Sequence, residues 1–515
     1  MRLRLSPGLG RWIIGAFTIV LLAGFVILDH IAPAGRKLAT VKGIDAVTYF
    51  DIAHSVLFDH DFNLNNEFER MKPEEDIWTA RQPETGLPGS VWAVGYSLLQ
   101  IPLLALGTGV DALAGNPADG FSQWALFFYC MGNLLMVGCG MAALFTFLQS
   151  IGRYWKITPE DHQSAYALFV TFVIFFATNV GYYTFSRMSH SSTFLFSSLF
   201  LLTWWRVRDS DAWRDWLLLG LIGGTLAICR WQDILYIGGP PLYDLLGGDV
   251  VKKPLRWWRA RVIYVAAMTV CWIPQMLEWK AIFGHYVTNP VGRIPGAFFK
   301  FPPEHILQLL LSSHVGWFIW SPVTVLGVIG LFPGAFKATR IYLPWIVVLA
   351  LEITVIGSVT TWDGGDSFGA RYLLSSTPLV AFGIMTLFAL SAVWVRRSLA
   401  VACAACCVFT VLFAVQFRMD LVPKGDVTLT FSELFTDKLR LGKVRQRKAA
   451  ARQAQELLAK GDPEAAIRIL EGTLSFGEDR EVDRWLEKAY RAAGRTEQAS
   501  AVEVKYKKFV ESALY

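Results

Sequence analysis

Acids and aromatics crowd one stretch of the chain, Gly43 to Glu69 (GIDAVTYFDIAHSVLFDHDFNLNNEFE), just beyond the first very apolar run. Helical spacing puts Asp45, Tyr49, Ile52 and Val56 on one face and Asp51, Ser55 and Asp59 on a polar stripe beside it, so a short amphipathic helix is expected. A carboxylate at a bilayer surface can have its pKa tuned by desolvation, which suits a general base. Asp45 could be that base, or it could cap the helix that follows Gly43, where Asp is favoured on backbone grounds alone. His54, Asp59 and Asp61 offer nitrogen and oxygen donors for a divalent metal, or they form a solvated face and a turn; the sequence leaves the metal open.

A second set of candidates is cationic: Arg187, His190, Arg230, Lys300 and Arg371. Each alone reads as an interface anchor at a span end. Together on one outer face, where cations are disfavoured, they read as a pocket for a phosphate or diphosphate. Trp317, Trp320 and Trp362 could stack on sugar rings or belong to an interfacial aromatic belt.

The elements that must position these residues follow from composition. Of 515 residues, 54% are hydrophobic and 17% charged, which excludes an ordinary soluble globule and points to an all-α, polytopic membrane protein. The net charge of +6 resides in short basic patches between apolar runs and in the tail, so it is membrane-flanking charge and not a nucleic-acid surface. All seven cysteines fall in apolar stretches and form neither a metal pair nor a disulfide framework. No GxxxxGK[ST] or GxGxxG loop is present, so no nucleotide site is expected.

The run Trp12 to Leu28 reads as an uncleaved first span with the N-terminus inside. Ala32-Pro33-Ala34 resembles a cleavage site, but the run is long for a signal peptide and many spans follow. Further apolar runs lie near 122–150, 164–183, 190–205, 215–229, 234–247, 262–279, 305–332, 341–358, 372–394 and 399–416. Ser90 to Leu106, with Pro102 and Gly95 inside it, could cross or lie in the interface. If it does not cross, the basic loops (Arg153 with Lys156, Arg206 to Arg214, Lys252 to Arg261, Lys337 with Arg340, Arg396 with Arg397) all fall inside; if it does, nearly every loop violates the positive-inside rule. About eleven spans plus one re-entrant or interfacial helix are therefore expected. The domains read as a membrane domain over 1–416 with its first outer loop at 30–121, a linker over 417–442, and a tail over 443–515. In the tail, GDPEAAIRIL at Gly461 and GRTEQASAVE at Gly494 repeat near the ~34-residue tetratricopeptide period, with Ala466 and Ala499 at matching small-residue sites. Eleven crossings place this tail outside, where it could bind a protein partner.

The acidic pattern Asp45, Tyr49, Ile52-Ala53 and Asp59 to Asp61 resembles the first outer loop of C-type (GT-C) membrane glycosyltransferases, the group of protein mannosyltransferases and aminoarabinose transferases. SFGARYLLSSTPL at Ser367 to Leu379 resembles an outer-loop-to-span segment of bacterial members. The second acid of the family's pair is Ala46 here, and Gly86-Leu87-Pro88-Gly89 replaces an expected basic residue or His followed by two prolines. The resemblance implies transfer of a sugar from a polyprenyl-phosphate carrier to a glycan, lipid or protein acceptor at the outer, periplasmic face of an inner membrane. It implies Asp45 as base, Tyr49, His54, Asp59 and Asp61 on the acceptor loop, and Arg187, His190, Arg230, Lys300 and Arg371 around the donor phosphate. No cofactor is certain. A secondary transporter or lipid flippase is the alternative, and a scaffold centred on the tail a third.

Overall fold

The computed structural model describes residues 6–32, 37–71, 79–157, 160–248, 250, 253–294, 296–365, 367–422, 428–476 and 479–511. Pro33, Ala34 and Lys252, named above, lie outside them, as does Asp366. Lipid offers a backbone no hydrogen-bond partner, so apolar runs must satisfy their own N–H and C=O groups as helix. Among the described residues the regular structure is helical, and β-type pairing is confined to two isolated bridges, Arg81 to Pro88 and Phe299 to Val359.

Among the described residues, seven helices are long and apolar enough to cross a membrane: Pro7–Ile31, Gly95–Leu113, Gln123–Tyr154, Leu255–Phe283, Thr339–Gly357, Arg371–Leu390 and Val393–Arg418. This is an all-α, multi-pass membrane protein. Other apolar runs form shorter or broken helices. The 215–229 run is Trp213–Cys229, and 234–247 divides between a 3-10 turn, Trp231–Gly238, and Gly239–Leu246. The 305–332 run is interrupted twice, giving Ile306–Leu311, Trp317–Trp320 and Val323–Lys337.

The chain divides into two compact units. The first comprises 1–306, 323–362 and 371–405. Its first helix opens on Ser6, whose Oγ accepts from Leu9 N at 3.2 Å, with Pro7 in the first turn where its missing N–H costs nothing. That helix runs antiparallel to Gln123–Tyr154: a Cβ on Gly10 would strike Phe145, while Phe25 packs on Phe127 at 5.4 Å. Gly330 and Gly383 bring Val323–Lys337 and Thr377–Leu390 into backbone contact, the small-residue packing of membrane helices. Gly95–Leu113 is about 28 Å long at 1.5 Å per residue, so length alone permits crossing. Its neighbours, however, lie at the start of Gln123–Tyr154: Gly107 against Trp124 and Ala125, Gln100 against Gly132, and Tyr96 at 6.3 Å from Tyr129.

One end of this unit is strongly basic. Arg261 pairs with Asp244 at 3.0 Å and lies over Trp216 (3.7 Å) and Trp257 (4.1 Å); Arg208 lies over Trp205 and Arg340 over Tyr243. The other end carries the starts of Gln123–Tyr154 and His190–Val207, the ends of Trp213–Cys229 and Thr339–Gly357, and the candidate site.

The second unit comprises 307–322, 363–370 and 406–515, more than the tail alone. The stretch expected to be a linker contains a wide turn, Ser432–Thr436, and a 3-10 turn, Asp437–Arg440. Leu429 N donates to Ser313 Oγ at 2.9 Å, and Trp320 packs on Phe413 at 4.1 Å. The tail forms four helices, Leu441–Ala459, Pro463–Glu471, Arg480–Ala492 and Thr496–Glu511. Ala466 and Ala499 are fully buried where helices meet, as the repeat spacing requires. Gly461 and Gly494 take φ of +79° and +75°, the left-handed conformation that ends a helix and that glycine adopts freely.

Candidate functional site

The acidic stretch folds as a helix, Ile44–His54, continued by one wide π turn, Ser55–Asp59, and closed by His60 at φ +60°. It is not the amphipathic surface helix expected. Every residue from Ala46 to His54 is buried, because the helix inserts among Tyr96, Phe121 and Tyr129 instead of lying on a surface. Asp51, expected on a polar stripe, is fully buried, and neither of its carboxylate oxygens takes a hydrogen bond. Burial, with Glu67 nearby, pushes the Asp51 carboxyl well above the usual range.

Gly43 is the N-cap of this helix, and no side chain caps it. Asp45 instead directs Oδ2 at Arg371, whose Nη1 donates at 2.8 Å across 326 residues of sequence. The pair is partly open, with side-chain exposures of 20% and 16%. Arg371 thus reaches Asp45 from far along the chain. Its carbonyl accepts from Arg230 Nη1 at 2.8 Å, so both guanidinium groups lie near the Tyr372 ring, at 4.9 Å for Arg230 and 5.6 Å for Arg371. Tyr49, one turn after Asp45, donates to Ser189 Oγ at 3.0 Å, and burial pushes its phenol up to about 12. Ser97 Oγ donates to the Tyr49 carbonyl at 2.7 Å. His190 opens the next helix, stacked on Tyr183 at 4.1 Å; both ring nitrogens lack hydrogen-bond partners, and Arg230 and Arg371 are within electrostatic reach.

Asp45, Tyr49, His190, Arg230 and Arg371 thus come together. Two other cations named from the sequence are engaged elsewhere. Arg187 donates to the carbonyls of Phe185 and Leu38 and to Cys130 Sγ, a clasp on the backbone. Lys300 pairs with Glu304 at 2.8 Å and is half exposed. Asp61 turns away from the acids around it, accepting from Ser55 Oγ and Asn63 N at 2.9 Å each in a local turn.

Sequence reasoning missed the acids next to this cluster. Asp233 is fully buried within electrostatic reach of Arg230, and Glu352 is fully buried, accepting from Ser376 Oγ and, at 3.3 Å, from Ser375 Oγ. A lone acid inside the apolar run 341–358 was a signal for Glu352, since such residues are costly in a membrane and face a bundle interior. Glu67 was also missed. It lies against His54, Nδ1 to Oε1 at 2.8 Å, and among the described residues His54, Asp59 and Glu67 bring donor atoms close enough together to hold a metal.

Chemically, the cluster offers a carboxylate held beside two guanidinium groups, partly open to solvent: a base for a hydroxyl and a cradle for an oxyanion. No family model matches the sequence, and no curated protein is similar to it.

Proposed function

We propose that the protein is a membrane glycosyltransferase that moves a sugar from a polyprenyl-phosphate carrier to an acceptor hydroxyl at the outer face of the membrane. The observation that carries this reading is the 2.8 Å pair between Asp45 and Arg371. Each belongs to one of the two short motifs that resemble the C-type transferases, and the fold joins them at one end of the first unit.

The chemistry is a single displacement. The acceptor oxygen attacks the anomeric carbon as its proton passes to Asp45, the bond from that carbon to the phosphate oxygen breaks, and the carrier phosphate leaves with the electron pair. Arg371 and Arg230 offset its charge. Donor phosphate competes with Asp45 for Arg371, so binding of the donor frees the carboxylate to act as base. Orientation follows from charge: with the basic end of the first unit cytoplasmic, the site faces outward, the N-terminus lies inside, and Gly95–Leu113 stays in the outer part of the membrane. An inner membrane with the tail in the periplasm, holding a protein partner, completes the placement.

The test is purified protein with synthetic polyprenyl-phosphate sugars and small hydroxyl acceptors, with products read by mass spectrometry. Transfer that depends on Asp45 supports the proposal; no transfer from any lipid-linked sugar, with a folded protein, overturns it. Fully buried Glu352 favours a second reading, a secondary transporter. That reading requires solute flux in proteoliposomes that Glu352→Gln abolishes, and no product from lipid-linked sugars.

A further inference from the structure

The π turn at Ser55–Asp59 builds a second constellation that the proposed transfer does not use. At α-helical spacing Asp59 would point well away from His54, five residues before it. The wider turn closes i to i+5 and keeps an Asp59 oxygen within reach of the imidazole. Glu67 comes from the next helix, Asn65–Met71. One donor atom from each of His54, Asp59 and Glu67 lies within 4.8 Å of the other two.

The imidazole is fixed on every side. Its ring stacks on Phe58 at 4.6 Å and lies against Phe121 at 4.2 Å. Nε2 is 2.9 Å from the carbonyl oxygen of Asp119, which can only accept, so Nε2 carries a hydrogen. The Asp119 carboxylate is itself held by Arg70 at 2.6 Å. In the neutral ring the lone pair therefore sits on Nδ1, 2.8 Å from Glu67 Oε1, another lone-pair atom. Two acceptors at that distance need a proton or a metal ion between them.

Glu67 is fully buried, and no donor reaches its Oε2. Asp51, also fully buried and without a hydrogen bond, acts electrostatically on Glu67 from the preceding helix. Among the described residues, no Lys or Arg pairs with Asp51, Asp59 or Glu67. Asn66 Nδ2 bridges Asp59 Oδ2 (2.9 Å) and Glu67 Oε1 (3.2 Å), holding the two carboxylates on one side. Three carboxylates and an imidazole thus face one another with a single amide and no cationic side chain between them.

We propose that His54 Nδ1, Glu67 and Asp59 bind one divalent transition cation of the zinc class. The donor set is one imidazole nitrogen and two carboxylates, and the second imidazole nitrogen donates to a backbone carbonyl, the usual outer arrangement of a metal-bound histidine. Glu67 Oε2 and Asp59, which is open to solvent, supply the remaining lone pairs and the entry path. The bound ion ties the Ile44–Asp59 segment to Asn65–Met71 and, through Asp119, to the start of Gln123–Tyr154. It thereby fixes the helix that carries Asp45, whatever reaction that helix serves.

The experiment uses the full-length protein in detergent, stripped with chelator and titrated with Zn²⁺, Mg²⁺ and Ca²⁺. Bound metal is read by mass spectrometry of the desalted protein and thermal stability by melting. One Zn²⁺ per chain and a raised melting temperature are expected. Asp59→Asn keeps the exposed side chain's shape and should fold; it should weaken Zn²⁺ binding by at least ~10-fold. Glu67→Gln should abolish it, and Asp61→Asn should leave it unchanged. No retained Zn²⁺ and no Zn²⁺-dependent melting shift in the parent protein would mean a plain imidazolium–carboxylate pair and overturn the proposal. So would equal binding in Asp59→Asn and parent, or a response to Ca²⁺ or Mg²⁺ alone. None of these readouts depends on sugar transfer.

Discussion

Asp45 and Arg371 satisfy each other at 2.8 Å while remaining partly open, and this sets opposite expectations for substituting either one. Asp45→Asn keeps the volume but cannot take a proton. Transfer should fall on the order of 10²-fold to 10⁴-fold while donor binding holds or tightens, because Arg371 loses its competing partner. Near-full turnover at saturating donor and acceptor would remove Asp45 from the role of base. Arg371→Lys keeps the charge but replaces a planar fork with a point charge, so donor affinity measured on that variant should drop by about tenfold or more. A mere loop clasp would tolerate the change. Asp51 is no neutral comparison for these variants, since its carboxyl is buried and unpaired where a solvated stripe was expected.

Elements differ in how far their residues announce them. The tail hairpins were legible because Gly461, Gly494, Ala466 and Ala499 each answer a local demand, a left-handed stop or a close helix contact. The π turn was not legible: it inserts one residue's worth of register, and no residue type at 55–59 demands it, so α spacing misassigned Asp59, while Asp51 was misassigned because its helix is buried among aromatic side chains. The turns at 432–440 were likewise hidden in what read as a charged linker, yet they bury Lys438 against the rings of Phe413 (3.6 Å) and Phe409 (4.7 Å). Burial lowers the Lys438 pKa to about 7 from 10.5. The unfolded chain therefore binds more protons than the folded one between about pH 7 and pH 10, and stability should rise with pH across that window and level off below it. Thermal melting of the full-length protein from pH 7 to 10 should show this slope, and Lys438→Met should flatten it. The neighbouring acids Glu433 and Asp437 have pKa values raised by burial, so their contribution runs the other way, falling as pH rises. A flat or falling parent slope between pH 7 and pH 10 would show that Lys438 does not set it.

At the scale of the whole molecule, hydropathy declared the class, but the number of crossings depends on contacts that no periodicity encodes. Gly95–Leu113 has the length and composition of a span, yet the contacts described above on Gln123–Tyr154, together with Gln100 to Asn133, lie within residues 124–133. A helix crossing the full bilayer antiparallel to that one would also meet its far half. In the proposed orientation the basic end formed by Arg208, Arg261 and Arg340 is cytoplasmic, and an odd number of crossings from an inside N-terminus leaves the tail outside. A reporter that is active only in the cytoplasm should therefore stay silent when fused after Tyr515, and give signal when fused in the basic loop after Ser210. Signal after Tyr515 together with silence after Ser210 would mean that Gly95–Leu113 crosses, and it would invert the site to the cytoplasmic face. Lipid-linked sugars presented outside could not then reach Asp45, and the transfer proposal would fall with the topology.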